Sequence, residues 1–198
     1  MANNGKRAIV YITDGGFLMP SLFSASQVLT KTRARELADL FVILVDVEIT
    51  GQLRDTFTDL GIRFLRLDRR SFWRKGDVAF NRTHVPTTSL GRLAMQEVIP
   101  DGYEHVLYLD GDTYIAGDIE PLILHTVAPG RIAAAADCTW LAKGQMGPFW
   151  RGHAAYCAGL GLSDVTRYFN AGVLAFRMDT WCEYAPRALR FFEQHSDL

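Results

Sequence analysis

Short apolar runs alternate with polar breaks along this chain. Ala8–Ile9–Val10–Tyr11–Ile12, Phe41–Val42–Ile43–Leu44–Val45 and Val106–Leu107–Tyr108–Leu109 are continuous apolar stretches, the pattern of strands buried on both faces. Ile62 to Leu67 alternates apolar and basic residues, as a half-exposed strand does. Three segments between these runs have helical character: Leu22 to about Arg33, with Pro20 placed for a first turn; Gln52 to Leu60, stopped by Gly61; and Leu90 to Val98, opened by Thr87–Thr88–Ser89 and closed by Pro100. Ile132–Ala136 predicts a tightly packed small-residue strand, and Tyr168–Phe176 a last strand with Asn170 and Gly172 inside it. Trp181 to His195 predicts an amphipathic helix. Strands and helices taken in turn predict an α/β fold, a Rossmann-like, mostly parallel central sheet flanked by helices.

The chemistry concentrates where the Val106–Leu109 run stops, at Asp110–Gly111–Asp112, two carboxylates around a glycine that permits a sharp turn. Ligands in open α/β sheets sit beyond the carboxyl ends of the strands, so both acids face a crevice. Two neighbouring carboxylates repel each other unless a cation or strong donors intervene. A hard divalent cation that also holds a diphosphate resolves this, because such ions take one or two carboxylates together with phosphate oxygens. On the triplet alone an acidic turn between strands stays open. A further carboxylate, Asp137, follows the Ile132–Ala136 run. The first strand leads into Thr13–Asp14–Gly15–Gly16 without a G-x-G-x-x-G fingerprint, which argues against a dinucleotide.

Composition narrows the function classes. At 198 residues the chain has the length of one domain. A formal net charge of -1 gives no broad electrostatic capture of nucleic acid. Cys138, Cys157 and Cys182 are widely spaced and odd in number, which fits reduced thiols in a cytosol. The apolar stretch after Lys6–Arg7 is too short for a signal peptide or a membrane span, so a cytoplasmic location is expected. Between Arg63 and Lys75 lie Arg63, Arg66, Arg69, Arg70, Arg74 and Lys75, with Phe72 and Trp73 among them. This run reads either as a site for an anionic acceptor or membrane headgroups, or as a solvated charged face. The Gly-, Trp- and Phe-rich text from Cys138 to Leu162 has no clear period, and loops of that length are usually functional or mobile.

Four stretches together resemble glycosyltransferase family 8, the retaining, nucleotide-sugar-dependent enzymes of GT-A fold. They are Ala8 to Asp14 with Leu18–Met19–Pro20; Gly91–Arg92–Leu93 leading to Tyr108–Leu109–Asp110–Gly111–Asp112–Thr113; Asp137; and Phe169–Asn170–Ala171–Gly172–Val173. The resemblance covers nearly all of residues 7–195. It implies a UDP-sugar donor, with Asp110 and Asp112, Gly111 between them, holding Mn²⁺ or Mg²⁺, and Asp110 also near the ribose. Asp14 would contact uracil with Thr13 beside it. Arg92 and Asp137 would hold the donor sugar or diphosphate, while Asn170 and Gly172 shape the sugar pocket. His84 falls where the family often has a polar residue near the donor, and a loop histidine is the alternative. His105, His125, His153 and His195 read as surface or structural histidines.

The resemblance also has departures. Gly15 and Gly16 follow Asp14, where the family usually offers an acidic or amide side chain. The family's later D-Q and H-x-x-G-x-x-K-P-W blocks have no counterpart before Leu198. The expectation is therefore a single nucleotide-sugar-binding GT-A domain over residues 1–198, incomplete at its C-terminus. The implied reaction is hexose transfer from a UDP-sugar to a glycan or glycolipid acceptor, such as lipopolysaccharide, with retention of configuration. Contact with the inner face of a membrane stays open. A sugar nucleotidylyltransferase is ranked lower because the first loop lacks a Gly-rich basic cradle. A non-catalytic or inactive nucleotide-sugar-binding remnant is the alternative from another class.

Overall fold

A computed structural model of the chain describes residues 5–73, 87–136, 155, 157–159, 161–164 and 168–194. His84, Asp137, Arg74, Lys75, His153, His195 and most of the stretch 138–162 lie outside the described residues. Six strands form one sheet: β1 (Lys6–Thr13), β2 (Asp39–Val45), β3 (Ile62–Leu67), β4 (Tyr103–Leu109), β5 (Ile132–Ala136) and β6 (Phe169–Arg177). Their order is β3-β2-β1-β4-β6-β5. β1 runs parallel to β2 and β4, β2 runs parallel to β3, and β6 is antiparallel to both β4 and β5. The mostly parallel α/β sheet expected from the sequence is present. From β1 the chain winds outward through β2 to β3, then returns to place β4 on the other side of β1. The carboxyl ends of β1 and β4 therefore flank a topological switch point, where open α/β sheets bind their ligands.

Among the described residues the continuous α-helices are α1 (Leu18–Lys31), α2 (Ala34–Leu37), α3 (Gly51–Asp59), α4 (Arg69–Phe72), α5 (Glu120–Leu124) and α6 (Met178–Gln194). Alternation along the strands divides the core into two layers. Ala8, Val10 and Ile12 pack with Phe41, Ile43 and Tyr108 against Leu90, Met95, Trp181 and Ala185. Ile9 and Tyr11 face the other way, with Val42 and Leu107, against Leu22, Ala25 and Val28 of α1. Strands covered on both faces leave no polar side, which is why β1 and β2 read as unbroken apolar text.

The chain departs from the sequence reading at three places and bears out one of its two readings at a fourth. Thr87–Glu97, expected to be α-helical from Leu90, winds as a 3₁₀ helix. Its Gly91 lies on the sheet, where an added Cβ would sit 3.3 Å from Ile12 Cγ2 and 3.5 Å from the Phe72 ring. That tight seat, with eleven residues of 3₁₀ winding, is unusual, since such runs rarely exceed about 3–4 residues. β5 is not tightly packed: only Ala133 is partly buried, because the strand sits at the sheet edge with β6 alone as described neighbour. α6 begins at Met178, ahead of the expected Trp181, and contains Pro186 without breaking. In the basic run, Arg63 pairs with Asp39 at 2.9 Å, Arg66 with Glu48 at 2.6 Å and Arg69 with Asp46 at 2.9 Å. These described members form a locally neutralised charged face, of the kind worth about 0–1 kcal/mol per pair.

Candidate functional site

β1 ends at Thr13, whose buried Oγ1 donates to its neighbour's carbonyl, Asp14 O, at 3.1 Å. The Asp14 carboxylate then does two jobs. Its Oδ1 accepts from the N–H groups of Gly16 and Phe17 at 3.0 and 3.2 Å, closing the loop that leads into α1. Its Oδ2 accepts from Thr88 Oγ1 at 2.6 Å, tying that loop to the 3₁₀ helix. Gly15 and Gly16 bring no side chains here, so the loop's polar contacts come from Asp14 and the backbone.

β4 delivers the second half. The Asp110 N–H donates to Gly172 O at 2.8 Å, continuing the β4–β6 ladder past the strand end. Asp110 Oδ1 accepts from the Tyr108 hydroxyl at 2.5 Å and lies 3.5 Å from Arg92 Nη2. The Arg92 guanidinium is held by protein on its other sides: Nε donates to Ser89 O at 2.7 Å, Nη1 to Ala171 O at 2.6 Å, and the group stacks 4.9 Å from the Tyr108 ring centroid. The Arg92 backbone carbonyl in turn accepts from the Trp181 indole N–H at 2.8 Å. Burial above all pushes the Tyr108 phenol up from its ordinary value, and the Arg92 charge only partly opposes this. Tyr108 therefore stays a neutral donor.

The turn itself is pinned from below. The Thr113 N–H and Oγ1 both donate to Asp110 O, at 3.1 and 2.8 Å. With its proton so committed, Thr113 Oγ1 accepts from Ser24 Oγ at 2.9 Å, and Ser24 accepts from Tyr11 OH at 3.0 Å. Burial raises the Tyr11 hydroxyl to about 12, consistent with a donor that starts this one-way chain. Gly111 does not have a positive φ. It is glycine for a different reason from the turn flexibility expected: a Cβ there would lie 2.1 Å from Ser21 Oγ.

The third side is β6. Asn170 Oδ1 accepts from the Gly172 N–H at 2.7 Å. A Cβ on Gly172 would meet Asn170 Oδ1 and Asp110 Oδ2, each at 2.9 Å, so the three residues converge. The structure thus gathers Thr13, Asp14, Arg92, Asp110, Gly111, Asp112, Asn170 and Gly172 around the carboxyl ends of β1 and β4 and the start of β6. A cleft of about 240 Å³ runs between the Asp14 loop and the Asp110–Asp112 turn. Its wall includes Phe17, Thr88, Ser89 and Tyr108, none of which stands out as a site residue in the sequence. Thr88 reads there as a helix start and Tyr108 as core; only their partners reveal them.

Among the described residues no three His, Cys, Asp or Glu side chains converge as a metal cage. The donor set is the pair Asp110 and Asp112. Asp112 is exposed, and among the described residues nothing donates a hydrogen bond to Asp110 Oδ2. Two carboxylates with open oxygens fit a hard divalent cation that completes its shell from phosphate and water, as Mg²⁺-like ions do.

The sequence profile of the family described as "Glycosyl transferase family 8" matches residues 8–193. No curated protein sequence matches the chain. Among solved structures, the galactosyltransferase LgtC in complex with donor and acceptor sugar analogs is similar over 96% of this chain, at 22% identity and a TM-score of 0.69. The glycosyltransferase GlyE of Streptococcus pneumoniae TIGR4 is similar over 97% of this chain (20% identity, TM-score 0.59, 40% of that chain). Mouse xyloside xylosyltransferase 1 is similar over 97% (14% identity, TM-score 0.56, 75% of that chain). At these identities the likeness shows the fold, a GT-A α/β architecture. The chain spans 65% of the length of LgtC.

Proposed function

The chain belongs to glycosyltransferase family 8, and from that premise we propose that it transfers a hexose from a UDP-sugar to a glycan or glycolipid hydroxyl, with the anomeric configuration retained. The observation that carries this reading is the cleft at the switch point, with Asp14 on one wall and the Asp110–Asp112 turn on the other. In this reading the first wall meets the nucleoside and the second the diphosphate, the two ends of a sugar-nucleotide donor. LgtC, of the same fold, was solved with donor and acceptor sugar analogs, which supports a sugar donor as the kind of ligand this family member takes.

Asp14 and Thr13 then meet the uracil, Asp110 and Asp112 hold Mn²⁺ or Mg²⁺, and Asn170 with Gly172 borders the sugar. The bound cation supplies Lewis-acid stabilisation of the departing diphosphate. Arg92 keeps positive charge beside Asp110 while sugar and phosphate charges separate. The bond from the anomeric carbon to the UDP oxygen breaks, and a bond from that carbon to the acceptor oxygen forms on the same face. The acceptor proton passes to the departing phosphate oxygen. Asp137 and His84 are proposed donor contacts by family resemblance alone. A lipopolysaccharide-type acceptor at the cytoplasmic face of a membrane is proposed on the same basis; no helix among the described residues is long and apolar enough to cross a membrane.

Calorimetric titration of UDP with Mn²⁺, and again with EDTA, tests the reading. Metal-dependent binding that Asp112→Asn abolishes is the expected result, and equal binding in EDTA would overturn it. Incubation with UDP-glucose and UDP-galactose then separates an enzyme from a non-catalytic binder by release of UDP.

A further inference from the structure

The two oxygens of Asp110 have different surroundings. Oδ1 takes the Tyr108 hydroxyl at 2.5 Å and faces Arg92 Nη2 at 3.5 Å. Oδ2 takes no hydrogen bond among the described residues and looks past Gly172, where even one added carbon would stand 2.9 Å away. The main chain that carries the carboxylate is fixed, since Asp110 N–H is bonded to Gly172 O and its carbonyl receives both donors of Thr113. What remains free is rotation about the two side-chain bonds, and that is the motion a donor held on one oxygen arrests.

We propose that Tyr108 is a positioning residue for the cation site: its hydroxyl fixes the Asp110 carboxylate so that Oδ1 is committed to protein and Oδ2 alone is presented to the divalent cation. The inference rests on the cation reading above and deepens it. Tyr108 is buried at 2% exposure and sits beneath the Arg92 guanidinium, so water does not replace its hydroxyl cheaply. Without that donor, Oδ1 is left with Arg92 alone, and the carboxylate turns toward the arginine. An oxygen drawn into a salt bridge is lost to a cation. Hydrogen bonds to ligating carboxylates commonly govern metal affinity by about 10–100-fold when removed. Gly172 belongs to the same device, because it is the absence of a side chain there that keeps the Oδ2 side clear.

The test is Mn²⁺ binding in the presence of UDP, read from the free-ion electron paramagnetic resonance signal, with circular dichroism of the metal-free protein in EDTA measured alongside. Wild type, Tyr108→Phe and Asp112→Asn are compared. The expected result is a loss of about tenfold or more in Mn²⁺ affinity for Tyr108→Phe, with a circular dichroism spectrum in EDTA that matches wild type. A merely structural tyrosine would alter the metal-free spectrum together with the Mn²⁺ affinity, or alter neither. Wild-type Mn²⁺ affinity in Tyr108→Phe, with Asp112→Asn inactive in binding, would overturn the role of Tyr108 and leave the cation site standing. Failure of the wild type itself to bind Mn²⁺ with UDP would overturn both. If Tyr108→Phe does not fold, Gly172→Ala carries the test: it keeps the tyrosine bond but crowds Oδ2, and Mn²⁺ affinity equal to wild type would refute the assignment of that oxygen.

Discussion

Thr88 Oγ1 donates a 2.6 Å hydrogen bond to Asp14 Oδ2, joining two residues 74 positions apart across the mouth of the cleft. It engages the second oxygen of a carboxylate whose first oxygen is already shared between two backbone N–H groups, so Asp14 joins the loop into α1 to the 3₁₀ helix. The 3₁₀ helix therefore helps set the position of the Asp14 wall of the cleft. Thr88→Val removes the donor at nearly constant volume. Stability is expected to fall by about 1.5–3 kcal/mol, the range for a hydrogen bond to a charged group. UDP affinity is expected to fall with it, and Thr88→Ser to restore both. Unchanged UDP affinity in Thr88→Val, by calorimetry, would separate Asp14 from the nucleotide.

Asn170 offers a way to divide the donor into its parts. Its Oδ1 caps the Gly172 N–H at 2.7 Å, and it lies at the β6 side of the site rather than beside Asp14. Asn170→Leu is expected to weaken UDP-glucose or UDP-galactose binding more than UDP binding, while Asn170→Asp keeps the cap and the local backbone. Calorimetry on the nucleotide and the two sugar nucleotides decides it. An equal loss for all three would assign Asn170 to folding or to the nucleotide instead.

The sheet and the acidic turn are legible in the sequence because their cause is local. Val106–Leu109 is buried on both faces, so it had to be apolar, and the acids follow where burial stops. The order of the strands and the antiparallel β6 are properties of the whole fold, yet the polar Asn170 and small Gly172 already mark that strand as unusual. Thr88 and Tyr108 escape a sequence reading because their roles depend on partners brought in by folding. A threonine before a helix ordinarily caps it, and a tyrosine in an apolar run ordinarily packs. Gly111 is legible as necessary but not for its actual cause, since Ser21 of α1, far away in the chain, supplies the constraint. The exposed β5 misleads for the opposite reason: alanines suit a tight core and an open edge equally well.

Acid stability depends on the opposite end of the sheet from the cleft. His105 is buried on β4 at 8% exposure. Burial first, then the Arg7 charge, holds it below its ordinary value of 6.5; Glu104 and Asp179 oppose this, and Arg177 adds to it. The folded state therefore binds this proton less readily than the unfolded chain. Between the depressed folded value and the ordinary one the unfolded state carries more protons, so stability rises with pH across that window and falls as acid is added. Melting temperatures measured across mildly acidic to neutral pH are expected to climb with pH below about 6.5 and to do so less steeply in His105→Gln. An identical slope in the variant would assign the acid sensitivity to other groups.

Gly111 and Ser21 provide the sharpest test of how the acidic turn is held. The glycine sits against α1 so closely that a methyl group would lie 2.1 Å from Ser21 Oγ, 3.1 Å from its Cβ and 3.4 Å from its Cα. The hydroxyl can swing away, but the helix backbone behind it cannot, because Ser24 and Gln27 bind Thr113 and Ile115 on the same face. Gly111→Ala is therefore expected to cost about 1–3 kcal/mol, the range for overpacking a well-filled site. Ser21→Gly alone costs about 1 kcal/mol as a glycine in a helix interior. If contact between the two side chains is the cause, the double variant is expected to be more stable than the sum of the singles predicts, with a coupling of about 1 kcal/mol or more. Denaturant titration of the four proteins reads this directly. Simple additivity would show that Gly111 is required by the turn's backbone and not by the helix it leans on.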